Sequence, residues 1–146
     1  MRQTTRLVVT NETEESINVY FRQLQPQLET VYDLQLSGFE KFQFLLYGKG
    51  DFYKRHSDRN DKPESPSYIK ARRISVVIFV SNENQDNHPD SYTGGSLVVW
   101  DSDRHKTPIR IHGEIGKLIA FPSNLAHEVE PILTGKRYSI VNWFFE

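Results

Sequence analysis

The chain has no cysteine, a single methionine and two tryptophans in 146 residues. Without thiols it can build neither a disulfide framework nor a thiolate metal site, so any metal must be held by nitrogen and oxygen. It also lacks a long hydrophobic run: no stretch nears the roughly 20 apolar residues that a membrane helix needs. The opening Met1-Arg2-Gln3-Thr4-Thr5-Arg6 leads into only Leu7, Val8 and Val9, too little for the core of a secretion signal. Nor is there an excess of either charge. Eighteen basic against nineteen acidic residues leave a net charge of -1, with no global field to attract nucleic acid or an anionic membrane. The expectation is a cytoplasmic protein that binds neither.

What is present suits one globular domain spanning residues 1–146. Hydrophobic residues make up 37% and charged residues 25%, enough to form a single core. Residues 11–33 read as a helix, with Ile17, Tyr20, Phe21, Leu24, Leu28 and Val31 recurring at three- and four-residue intervals. Asn11 with Glu14 suggests a capping box, and Pro26 should kink or split the helix. Beyond Gly38 the period shortens. Phe42, Phe44 and Leu46 alternate, and Ile74 to Val80 is an apolar, β-branched run. Segments 96–100, 108–112, 117–121, 127–132 and 137–145 follow, separated by turn signals such as Gly94-Gly95 and Pro122-Ser123-Asn124. About eight short strands predict a mainly β sandwich or jelly roll, residues 38–146, with the helix of residues 1–37 packed outside the larger sheet. The polar segments 59–67 and 81–92 read as surface loops that bear on substrate choice.

Four residues carry the chemistry. His56 and Asp58 are two positions apart, so one strand can aim both at the same side. His127, from a later strand, can close the set. Two imidazoles and a carboxylate are the ligands that hold non-haem Fe(II) on one face and leave other coordination positions open. The same ligands accept manganese, cobalt or zinc. Another His-x-Asp triplet, His88-Pro89-Asp90, lies in the Asn/Asp-rich loop, where proline and turn formers predict a solvated bend. His105 and His112 read as surface residues beside hairpin turns, and Asp101 and Asp103 as turn residues. On the last strand Arg137, Ser139, Val141 and Trp143 share one face, and a guanidinium there forks naturally onto a carboxylate.

The stretches Tyr47 to Asp58, Phe121 to Pro131 and Gly135 to Ser139 resemble the 2-oxoglutarate- and Fe(II)-dependent dioxygenases, particularly the prolyl 4-hydroxylase-like branch. Tyr92-Thr93-Gly94-Gly95-Ser96-Leu97 also resembles a segment of related small hydroxylases. The resemblance implies a double-stranded β-helix of the jelly-roll, cupin-like kind, with His56, Asp58 and His127 as metal ligands. It implies that Arg137 and Ser139 clamp the distal carboxylate of 2-oxoglutarate and that Tyr47 bonds the same co-substrate. Arg72 and Arg73 precede the central strand, where relatives use an arginine toward substrate; Arg73 and Trp143 are the substrate candidates. Tyr53 matches a family position, but strict alternation sets it opposite His56 unless a bulge intervenes. Fe(II), 2-oxoglutarate and O2 follow as cofactors and co-substrates, with ascorbate as a candidate reductant. The implied activity is hydroxylation of a C–H bond in a protein or peptide, with a prolyl residue as one candidate, releasing succinate and CO2. A free amino acid or other small molecule is the alternative substrate, and a non-catalytic cupin-like binding module the alternative class.

Overall fold

The structure is a computed structural model that describes residues 1–100 and 107–146. Asp101, Asp103 and His105 lie outside the described residues. In chain order the elements begin with β1 (Arg2–Gln3), β2 (Thr5–Leu7), α1 (Asn11–Tyr32), β3 (Gly38–Phe39), β4 (Gln43–Tyr47) and β5 (Phe52–His56). There follow α2 (Ser67–Ala71), β6 (Arg72–Phe79), β7 (Asn82–Glu83), β8 (Ser91–Gly94) and β9 (Leu97–Trp100). The last are β10 (Pro108–Ile111), β11 (Leu118–Pro122), β12 (His127–Val129), β13 (Ile132–Gly135) and β14 (Arg137–Phe145).

Two antiparallel sheets face each other. One has the order β1-β5-β12-β9-β10 and the other β11-β6-β14-β4-β2; a small third sheet, β13-β8-β7, caps one end. Inward residues of both large sheets share one core: Leu45, Tyr47, Val77, Phe79 and Phe121 meet Leu97, Val99 and Val129. This is the expected jelly roll. The outer face of the six-stranded sheet buries Ile74, Val76, Ile140 and Phe144 under Phe21, Leu24 and Leu28 of α1. The helix therefore packs on the larger sheet, as its amphipathic spacing requires.

Several local expectations change. Pro26 neither splits nor ends α1, which runs unbroken from Asn11 to Tyr32. Pro26 and Arg22 are both exposed, so the carbonyl that loses its partner meets water instead. The N-cap is Thr10 rather than Asn11, its hydroxyl accepting from the Thr13 amide at 3.2 Å. Segment 127–132 is two strands rather than one, β12 in the large sheet and β13 in the small one. At the junction of β8 and β9, Gly94 and Gly95 have φ of 70° and 61°. A Cβ on Gly95 would stand 2.1 Å from Ile132 Cδ1, so that corner demands glycine. The first seven residues, expected only to precede a helix, form two strands. Segment 59–67 is polar and ends at the short helix α2; segment 81–92 includes β7 and the start of β8. No helix among the described residues is long and apolar enough to cross a membrane.

Phe21 is fully buried, with Phe39, Phe42 and Phe144 within 6.3 Å of its ring. Phe21→Ala should destabilise the fold by about 3–5 kcal/mol, read from the urea midpoint at unchanged m-value. A cost under about 1 kcal/mol would mean that α1 contributes little to the sheet it covers.

Candidate active site

Between the sheets lies a cavity of about 390 Å³. His56, Asp58 and His127 form part of its lining, and Arg137, Ser139 and Tyr47 another part. Antiparallel pairing explains the first group. β12 lies between β5 and β9, and His127 sits directly opposite His56. Asp58 follows the end of β5, its amide donating to Ser123 O at 3.0 Å. It reaches the histidines from a turn, not from the same strand. One oxygen stands 3.3 Å from His56 Nε2 and the other 3.4 Å from His127 Nε2.

The hydrogen bonds around these rings decide what they can do. His56 Nδ1 lies 2.7 Å from Lys54 O, and His127 Nδ1 lies 3.1 Å from Leu125 O. A carbonyl only accepts, so each Nδ1 carries the hydrogen and a neutral ring leaves Nε2 with a free lone pair. Two bare nitrogens and a carboxylate then face one another within 4.8 Å. Such a set is repulsive unless a cation stands among the donors or an imidazole takes a proton. Burial alone would raise Asp58, but its contacts with His127, His56 and Ser75 outweigh that and hold it well below the ordinary carboxylate range. Burial would lower His127, yet the Asp58 carboxylate lifts it above its ordinary value. Both shifts express one demand for positive charge at this point. Two donors each about 2.1 Å from one ion and at right angles stand about 3 Å apart, so the observed separations fit a shared divalent ion.

The carboxylate is itself held. Ser75 Oγ donates to Asp58 Oδ2 at 2.7 Å and lies 2.9 Å from Ser123 Oγ. Ser75 was not singled out in the sequence. Its signal was there, as the one polar residue inside the apolar run from Ile74 to Val80. Tyr53 also joins the site. β5 carries an extra residue against β12, since His127 pairs with His56 but Val129 pairs with Tyr53. That bulge returns Tyr53 to the cavity side, where its ring stacks on His56 at 3.5 Å between centroids.

Arg137 opens β14 and is 1% exposed. It pairs in register with Tyr47, whose ring lies 5.0 Å from the guanidinium carbon; Phe79 lies at 5.4 Å. Its Nη1 donates to Ser139 Oγ at 3.3 Å, while Nε makes no hydrogen bond. No carboxylate pairs with it among the described residues. A buried, permanently charged guanidinium without a counter-ion is costly unless an anion completes it. The site is therefore chemically suited to a ligand carboxylate. Burial pushes the Tyr47 phenol up, which keeps it a donor.

Trp143 lines the cavity, with the Arg72 guanidinium 4.0 Å from its ring. Arg73 does not line it. It turns away to Glu146, Nε to carboxylate 2.8 Å, because a second irregularity pairs Phe144 with Ile74 but Phe145 with Arg72. The inward arginine is Arg72, not Arg73. Arg2, Arg6 and Tyr68 line the cavity as well and had no sequence signal. His88 and Asp90 pair only with each other at the surface, and His112 is exposed.

Comparison with known proteins agrees with this arrangement. A PKHD-type hydroxylase of Rhizorhabdus wittichii is 31% identical over 102 residues, 68% of this chain and 40% of that protein. One from Synechococcus elongatus is 31% identical over 103 residues with the same coverage. The chain thus spans about 40% of the length of the curated relatives it matches. Among solved structures, a Pseudomonas putida prolyl-4-hydroxylase superposes with a TM-score of 0.74 at 27% identity, covering 99% of this chain and 71% of that one. A viral collagen prolyl hydroxylase from Paramecium Bursaria Chlorella virus-1 shares the fold, with a TM-score of 0.67 at 18% identity over 99% of this chain and 79% of that one. The model of the 2OG-Fe(II) oxygenase superfamily matches residues 42–145, and this chain belongs to that superfamily.

Proposed function

We propose that residues 1–146 act as one catalytic unit, a 2-oxoglutarate- and Fe(II)-dependent hydroxylase of a protein or peptide, with a prolyl residue as its target. The observation that carries this reading is that one cavity holds both a three-donor cluster and a buried arginine without a counter-ion. His56, Asp58 and His127 would hold the metal. Arg137 would grip the distal carboxylate of 2-oxoglutarate, with Ser139 and Tyr47 adding hydroxyl contacts. When bound, Fe(II) supplies the oxidative chemistry by which O2 and 2-oxoglutarate yield succinate, CO2 and a hydroxylated product, with ascorbate as the external reductant.

The protein's share is orientation and dryness. Backbone carbonyls fix both imidazole tautomers, Ser75 fixes the carboxylate, and Tyr53 braces the His56 ring. Leu45, Val77, Leu97 and Val129 add hydrocarbon to the lining of the cavity that holds the cluster and the arginine. Hydrocarbon in the lining lowers the local polarity, which would strengthen charge-assisted bonds to the co-substrate. The peptide preference is supported by prolyl hydroxylases among the structural relatives, one of them a Trichoplax adhaerens enzyme in complex with a peptide fragment. With Fe(II) and 2-oxoglutarate supplied, succinate should appear with proline-containing peptides. Succinate formed only with free amino acids would replace the peptide reading with the small-molecule one.

Two further measurements address the residues separately. His127→Ala should abolish stoichiometric binding of Fe(II) or Co(II) in equilibrium dialysis. Ser75→Ala should keep the site but weaken it by about 10–100-fold, since it removes the bond that aims the carboxylate. Metal affinity unchanged in both variants would overturn the ligand assignment. Arg137→Met exchanges an uncompensated buried cation for a side chain of similar length. It should melt no lower than the parent protein, and 2-oxoglutarate should raise the melting temperature of the parent alone. Equal ligand-induced shifts would remove Arg137 from the co-substrate site.

A further inference from the structure

The N-terminal strands build a wall of the cavity that the chemistry above does not use. β1 pairs with β5 in one large sheet and β2 pairs with β4 in the other, so residues 2–7 strap the two sheets together. Register then dictates what the strap presents. Arg2 stands directly opposite Tyr53 and Arg6 directly opposite Leu45, and opposed residues of an antiparallel pair share a face. Tyr53 and Leu45 both line the cavity, and so do Arg2 and Arg6. The Arg2 guanidinium lies 5.3 Å from the Tyr53 ring and reaches Gln43 Oε1 only at 3.5 Å. Neither Arg2 nor Arg6 has an ion-pair partner among the described residues, whereas Arg72 at the same cavity is held bidentately by Glu40. The one carboxylate in the lining, Asp58, accepts from Ser75 and faces the two histidines. The mouth is therefore cationic in a chain whose net charge is -1.

From this juxtaposition we infer that the substrate is anionic where it crosses the strap: a peptide bearing aspartate or glutamate next to the residue that enters the cavity. This rests on the hydroxylase reading and adds the substrate's charge. Arg2 and Arg6 meet the acidic side chains in open solvent, which gives selectivity and faster encounter more than deep affinity. Tyr68, exposed in the lining of the same cavity, offers aromatic surface for an uncharged target residue.

The test uses the full chain with Fe(II) and 2-oxoglutarate under anaerobic conditions and three end-blocked, fluorescein-labelled peptides. Each has a central proline, flanked by two aspartates, two asparagines or two lysines, and binding is followed by anisotropy. The aspartate peptide should bind about tenfold tighter than the asparagine peptide at low salt, with the gap closing as salt rises. In the double variant Arg2→Gln/Arg6→Gln that gap should fall below about twofold, while Arg6→Glu should shift preference toward the lysine peptide. Equal binding of the aspartate and asparagine peptides, or a preference that survives the double variant, overturns the inference. So does N-acetylaspartate competing as strongly as the aspartate peptide, which would assign the arginines to a free small acid. A loss of 2-oxoglutarate affinity in the double variant as large as the loss for the aspartate peptide would make them a co-substrate funnel and also overturn it. Aerobic conversion of 2-oxoglutarate to succinate without peptide separates the two levels. If it proceeds while no peptide binds, only the charge inference falls; if it is absent too, the hydroxylase reading falls.

Discussion

Two imidazole nitrogens and a carboxylate, all presenting lone pairs to one another, form the constraint around which this fold is arranged. Their mutual repulsion is relieved only by positive charge at their centre. Among the described residues no lysine or arginine pairs with this carboxylate, and the Ser75 hydroxyl donates to one of its oxygens only. Instead the surroundings lock the arrangement. Each ring is held at Nδ1 by a backbone carbonyl two residues before it, so rotating either imidazole to relieve the repulsion would break a hydrogen bond. A donor set held open in this way is preorganised for an ion.

Charge placement makes the same point on a larger scale. The cavity's lining has one acid, the half-buried Asp58, and one buried base, Arg137, that has no ion-pair partner among the described residues, and these two do not neutralise each other. In a fold selected for stability alone, opposite charges this deep would pair or be replaced by hydrocarbon. Left unpaired in a cavity also lined by Leu45, Val77, Leu97 and Val129, each is in want of an external partner of opposite sign. A cation at one end and a carboxylate at the other satisfy both. A small dianion able to touch the metal and the guanidinium together fits that division, and the superfamily's co-substrate is such a molecule.

Much of this was legible in the chain. The amphipathic spacing of α1 predicted the helix, the run of about eight short punctuated strands the jelly roll, and the alternation along β14 the shared face of Arg137, Ser139, Val141 and Trp143. What was not legible shares one physical origin, the dependence of facing on pairing. Tyr53 was set on the wrong face by strict two-residue alternation, and Arg73 was chosen over Arg72 by resemblance alone; in each case an extra residue in the ladder decides which side chain faces the cavity. A bulge is specified by the partner strand and the packing around it, and nothing at Lys54 or Arg73 announces it. Arg2 and Arg6 were invisible for a related reason. Strands of two and three residues exist only because β5 and β4 offer open edges, and a local pattern cannot encode an edge some 40 to 50 positions away. Ser75 differs, because a lone hydroxyl in a buried β-branched run is a readable anomaly.

The division between legible and illegible residues is also a division of labour. His56, His127 and Arg137 are tied to interior strands: β5 and β12 have neighbours on both sides, and β14 lies between β6 and β4, while Asp58 is held in its turn by hydrogen bonds to Ser123 and Ser75. Positions there are over-determined by ladder bonds and by the core, which suits groups whose separation must stay fixed to within fractions of an ångström. Arg2 and Arg6 occupy the edge strands β1 and β2, and Tyr68 lies on the five-residue helix α2. Edge elements can change sequence and register without disturbing the interior ladder. On the role inferred for the strap, a chemistry held by the middle of the sheets and a recognition surface hung on their edges would vary independently. The same centre would then serve different substrates through changes at the strap.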